Sequence, residues 1–169
     1  MVTVGLGIAL ALSQQGESAS LLRAPASIVE RSSSVPANAM SHATLPADAA
    51  TLLAALNATR SLQGLRPLVL DARLCAIAES HGIDMATRRY FDHVSPEGIS
   101  PFERMDRAHY RYGYAGENLA LDRNVAAAHR ALLGSSEHRS NMLEPHYSRV
   151  GIAAVGSAIG EIFVEDFSD

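Results

Sequence analysis

Two apolar runs near the C-terminus, residues 149–155 and 161–167, flank Gly156-Ser157-Ala158-Ile159-Gly160, a spacing that suits a β-hairpin. Within the second run Ile162, Phe163 and Val164 are consecutive. Successive strand side chains point to opposite faces, so three apolar residues in a row predict a strand covered on both sides. The rest of the chain must therefore supply two covering layers. At 169 residues, 47% hydrophobic and 19% charged, it has the material for one packed domain and is not a disordered or collagen-like chain.

The helical signals lie mostly ahead of that hairpin. Residues 46–64 are predicted to form a helix, with Pro46 at its first turn, an apolar stripe of Leu52, Leu53 and Leu56, and Gly64 ending it. An extended connector follows over 65–70. Asp71 is a natural N-cap for a second helix, on which Leu74, Ile77, Ala78, His81 and Met85 share one face. Cys75 lies beside that stripe and reads as a small buried hydrophobe. Being the sole cysteine, it excludes an intrachain disulfide and any cysteine-cluster metal site. Ser100-Pro101-Phe102-Glu103 combines a capping box with proline at the first helical position and starts a short third helix. A fourth is expected over 122–133, with Val125, His129 and Leu132 inward and Gly134 terminating it. Ser135 or Ser136 then caps one more turn carrying His138. Residues 114–121 read as a further strand, and helices grouped before a small antiparallel sheet indicate an α+β fold.

The N-terminal third looks different. Residues 1–19 resemble a signal peptide: Met1 to Leu12 are apolar or small apart from Thr3, too short a run to span a bilayer, although the usual preceding basic segment is missing. Residues 20–45 are rich in Ser, Ala and Pro and read as a flexible tether, leaving 46–169 as the folded unit. The net charge of -4, with 14 scattered basic residues, argues against a nucleic-acid partner.

The most informative acid is Glu117. In a strand it shares a face with Leu119 and Leu121. A carboxylate on an apolar face needs a cation, a metal, strong donors or a proton; the alternative is a strand-end carboxylate turned to water. His93, in a loop between a helix and a Ser-Pro turn, is well placed to face a cleft, but taken alone it reads first as a solvated or capping residue. His138 reads alone as a helix-terminal histidine held near Ser135. His81 and His129, on helical apolar stripes, read as satisfied core histidines. No phosphate loop, nucleophile elbow or paired-histidine zinc motif is present.

Taken in order, these segments resemble the CAP superfamily in its bacterial branch: the cysteine-rich secretory, antigen 5 and pathogenesis-related 1 proteins, or SCP-like extracellular domain. The resemblance rests on Asn57-Ala58-Thr59-Arg60, Gly64-Leu65-Arg66-Pro67-Leu68 and Asp71-Ala72-Arg73-Leu74. Asp92-His93-Val94-Ser95-Pro96-Glu97-Gly98 follows, with Pro101 and Arg104 behind it. Gly116-Glu117-Asn118-Leu119-Ala120, the run from Ser135 through Leu143, and Val150-Gly151-Ile152 complete it. It implies an α–β–α sandwich, export to the periplasm or exterior, and a cleft where His93, Glu117 and His138 converge, with Ser135 and Asn118 nearby. It also implies that His93, His138 and Glu117 can hold a divalent ion such as zinc, a ligand set that leaves a fourth position for water. The chain departs from animal and plant relatives in lacking disulfides, their second glutamate and their differently placed second histidine. Leu132 stands where relatives commonly have Trp, and no appended peptidoglycan-binding module is expected.

Three functions follow as expectations. The first is a secreted, monomeric binding module for a lipid, peptide or envelope ligand, without a membrane span. The second is a zinc-dependent, peptidase-like hydrolase with Glu117 as catalytic candidate, either ligand or base. The third is a structural role in which the polar cluster merely ties helices to sheet.

Overall fold

A computed structural model describes residues 46–169. The expected signal-like segment 1–19 and tether 20–45 lie outside the described residues. Helix α1 (Ala47–Leu62) starts after Pro46 and buries Leu52 and Leu56. The connector after it is pinned by Asn57, whose Nδ2 donates to the Leu68 carbonyl (3.0 Å) while the Leu68 N–H donates to Asn57 Oδ1 (2.8 Å). That reciprocal pair holds β1 (Val69–Leu70) in extended form.

Asp71 caps α2 (Ala72–Arg88), accepting from the N–H groups of Arg73 and Leu74. Leu74, Ile77, Ala78, His81 and Met85 are all buried, as their spacing requires. The capping box of Ser100 and Glu103 opens α3 (Pro101–Arg107). Strand β2 (Ala115–Asp122) comes next. Helix α4 (Val125–Gly134) begins three residues later than the expected 122, because β2 runs on to Asp122 and Asn124 supplies the cap. Ser135 caps α5 (Ser136–Met142). The chain then forms β3 (Arg149–Ser157) and β4 (Gly160–Ser168), with Ser157 paired to Gly160 and Ala158-Ile159 at the turn.

The sheet order is β1-β3-β4-β2. β3/β4 and β4/β2 are antiparallel, whereas β1 pairs in parallel with β3. The sheet is thus mixed. Two residues are too few to show a strand period, so β1 was legible only as extended connector.

Helices cover both faces. Leu119, Ala153, Ile162 and Val164 pack with Ala78 and Met85 of α2. Ala120, Val150, Ile152, Phe163 and Phe167 pack on the other side with Leu52 and Leu56 of α1 and Leu132 of α4. The consecutive trio divides accordingly: Ile162 and Val164 meet α2, and Phe163 meets the α1–α4 layer. Gly151 permits the close approach of α2, since a Cβ there would lie 2.2 Å from the Leu74 carbonyl carbon. Among the described residues, no helix is long and apolar enough to cross a membrane.

Candidate functional site

β2 is an edge strand, and neighbouring residues on it face opposite ways. Glu117 turns its carboxylate to the α2 side, where Leu119 also packs. It is 1% exposed. Its Oε1 accepts from His93 Nδ1 (2.7 Å) and its Oε2 from the Arg104 guanidinium (2.5 Å). His81 Nε2 stands 4.0 Å from the same oxygen and donates to the Asp92 carbonyl (3.1 Å). Burial alone would raise the Glu117 pKa; the His93 hydrogen bond and the Arg104 charge outweigh it, so the carboxyl is held below its ordinary range.

Arg104 also donates to the carbonyls of His93 (2.9 Å) and Ile99 (3.1 Å). One side chain from α3 thereby positions the His93 loop and neutralises Glu117. Opposite Glu117 in register on β4 lies Asp166, fully buried, with neither oxygen bonded to a donor. Burial, then the negative charge of Glu117, pushes its pKa well above the normal aspartate value. Both effects favour the neutral form of Asp166 beside the Glu117 carboxylate.

The other face carries Asn118. Its Nδ2 donates to the His138 carbonyl (3.1 Å) and to Glu165 Oε2 (3.1 Å), and its Oδ1 accepts from Asn141 Nδ2 (3.0 Å). Asn141 Nδ2 also reaches the Glu117 carbonyl (3.3 Å), tying α5 to β2. The Ser135 hydroxyl accepts from the His138 N–H (3.4 Å), the expected cap. His138 is buried, and its Nε2 has no hydrogen-bond partner. Burial, then the electrostatic effect of the nearby His93, lowers its pKa. Glu165, also buried, is pushed up to about 7 by desolvation, against the opposing Asn118 hydrogen bond.

The structure thus joins His93 directly to Glu117 and fixes the His138 main chain through Asn118. Among the described residues, no group of three His, Cys, Asp or Glu side chains is disposed to hold a metal ion. Both Glu117 oxygens are already engaged, one by a guanidinium. Two imidazoles remain beside them: His93, whose Nδ1 is held by Glu117, and His138, whose Nε2 has no partner.

Sequence reasoning missed Arg104 as the main counter-ion of Glu117, and read His81 as a core residue without a link to the site. It also missed Glu165 and Asp166. The signal for both was present: each alternates with an apolar neighbour on a doubly covered strand, the same argument that singles out Glu117. His129, read as a satisfied core histidine, is half-buried and bonds through Nε2 to Thr59 Oγ1 (3.0 Å).

A mixed sheet between two helical layers, with a buried acid–histidine–arginine cluster at its edge strand, defines the class: an α–β–α sandwich of the SCP type. The chain belongs to the CAP family, the cysteine-rich secretory protein family, whose model matches residues 53–167. It is 38% identical over 112 residues to YkwD of Bacillus subtilis, covering 66% of this chain and 43% of that protein. A Bacillus subtilis membrane protein, YlbC, is 33% identical over 97 residues, covering 57% of this chain and 28% of that protein. The chain spans less than half the length of these curated relatives. Among solved structures, an extracellular SCP-domain protein of Bacillus anthracis matches with TM-score 0.65 at 26% identity, over 72% of this chain and 40% of that one. An outer surface protein of Borrelia burgdorferi shares the fold, with TM-score 0.68 at 21% identity, over 72% of this chain and 92% of that one.

Proposed function

We propose that this domain is an exported binding module whose cleft takes a divalent ion, zinc by donor type, on His93 and His138, and presents it to a lipid, peptide or envelope ligand. The observation that carries the reading is the pairing of His93 Nδ1 with ionised Glu117 at 2.7 Å, beside a buried His138 Nε2 that has no partner. A carboxylate on one imidazole nitrogen fixes the ring and strengthens the other as a donor to metal. Glu117 acts in this reading as the group that orients His93. Zinc would supply Lewis acidity to whatever ligand reaches it.

Export is supported by the apolar stretch from Met1 to Leu12 and by the extracellular and surface neighbours. Binding is favoured over hydrolysis because Glu117 could serve as a base only by releasing Arg104 or His93. Calorimetric titration of the chain with zinc tests the reading. Binding that is lost in both His93→Ala and His138→Ala, and weakened in Glu117→Gln, is the expected result. Equal zinc affinity in the wild type and the double histidine variant would refute it.

A further inference from the structure

On the outer side of Arg104, α2 and α3 flank an open groove of about 460 Å³ lined by Arg73, Ile77, Ser80, Ile99, Arg104 and Arg107, among others. No acidic residue lines it. Three guanidinium groups thus surround one space in a chain of net charge -4.

Of these three arginines, Arg104 alone makes an ion pair within 4 Å among the described residues. Arg104 has Glu117 as its carboxylate, yet its Nε is buried without a partner. Arg73 gives one terminal nitrogen to the carbonyls of Ala108 and His109 (2.9 Å each) and lies over the Tyr110 ring, 5.3 Å from its centroid. Neutral carbonyls fix the guanidinium without cancelling its charge. Arg107 is exposed; the acid whose charge it meets is Glu103, already committed to the cap at Ser100. Guanidinium groups held in place beside a hydroxyl suit a tetrahedral oxyanion. Ile77 and Ile99 supply an apolar wall that a bare ion would not use.

We propose that this groove binds a phosphate ester with an apolar body, the phosphoryl oxygens meeting Arg73, Arg107 and Ser80 and the hydrocarbon lying against Ile77 and Ile99. The ester can be a lipid headgroup or a free alkyl phosphate, since the recognised chemistry is the same. The groove shares Arg104 with the His93–Glu117 cluster, so the test uses other wall positions and keeps zinc binding as an internal control.

The probes are octyl phosphate and inorganic phosphate, titrated into the full chain by calorimetry. Octyl phosphate is expected to bind at least about tenfold more tightly, because burial of even two methylenes gives that ratio. Arg107→Gln and Ala76→Glu alter exposed positions on the groove wall. Each is expected to weaken octyl phosphate by roughly threefold or more, with unchanged far-UV circular dichroism and zinc titration. Cosedimentation with phosphatidylglycerol–phosphatidylcholine vesicles, and not with pure phosphatidylcholine, assigns the headgroup as source. Octyl phosphate binding without cosedimentation assigns a free ester. Octyl phosphate binding that is absent, equals that of inorganic phosphate, or is unmoved by both variants overturns the proposal.

Discussion

Glu117 and Asp166 face each other across the β2–β4 register, both inaccessible to solvent, and their pKa values are pushed in opposite directions, Glu117 down and Asp166 up. Arg104 and His93 favour the negative charge on Glu117, and burial beside that charge favours the neutral form of Asp166. Two adjacent carboxyl groups are buried at least cost with one ionised and compensated and the other neutral.

This asymmetry predicts unequal costs of substitution. Asp166→Asn replaces a neutral carboxyl with a neutral amide of similar shape and is expected to cost about 1 kcal/mol. Glu117→Gln removes the charge opposite Arg104, a side chain only 12% exposed, and is expected to cost about 3–5 kcal/mol. Urea denaturation of the two variants measures the difference, and equal losses would contradict this division of charge.

Glu165 makes stability depend on pH. Its native pKa of about 7 lies above the ordinary 4.5, so the native state retains the proton that the unfolded chain releases. Its contribution is complete below about 4.5 and is lost as pH rises to about 7, a change of order 3 kcal/mol from 2.5 units. Glu165→Gln keeps an acceptor for Asn118 and should flatten that part of the profile. Thermal melts across this range provide the measurement, and an unchanged slope would rule Glu165 out as its source.

Arg60 is 1% exposed and donates to the carbonyls of Arg66 (2.9 Å), Met142 (2.8 Å), Glu144 (3.1 Å) and Tyr147 (3.4 Å). It thereby fastens the segment leading from α5 into β3. Arg60→Met, which keeps the stem and removes the donors, is expected to lose about 3 kcal/mol or more, because several buried carbonyls are left unpaired together. A loss below about 1 kcal/mol in chemical denaturation would show that these bonds are readily replaced.

Gly151→Ala tests the helix–sheet approach. The added methyl would collide with backbone at Leu74, which cannot swing aside as a flexible side chain can. A loss of about 3 kcal/mol or more, or failure to fold, is expected. A variant as stable as wild type would mean that α2 shifts freely over β3.

The sequence by itself determined the helices, the hairpin and the layered cover. Caps at Asp71, Ser100 and Ser135 act within a few residues, and the Ile162-Phe163-Val164 run encodes cover on both faces through strand alternation alone. It also singled out Glu117, because a carboxylate among leucines requires compensation wherever the chain carries it. Tertiary structure decided what the compensation is. Arg104 and His81 reach Glu117 from different helices, and Asp166 arrives through register 49 positions away. The parallel edge strand β1 likewise depends on a distant partner. Local pattern reports which groups are costly to bury; only the closed fold brings together the charges that meet that cost.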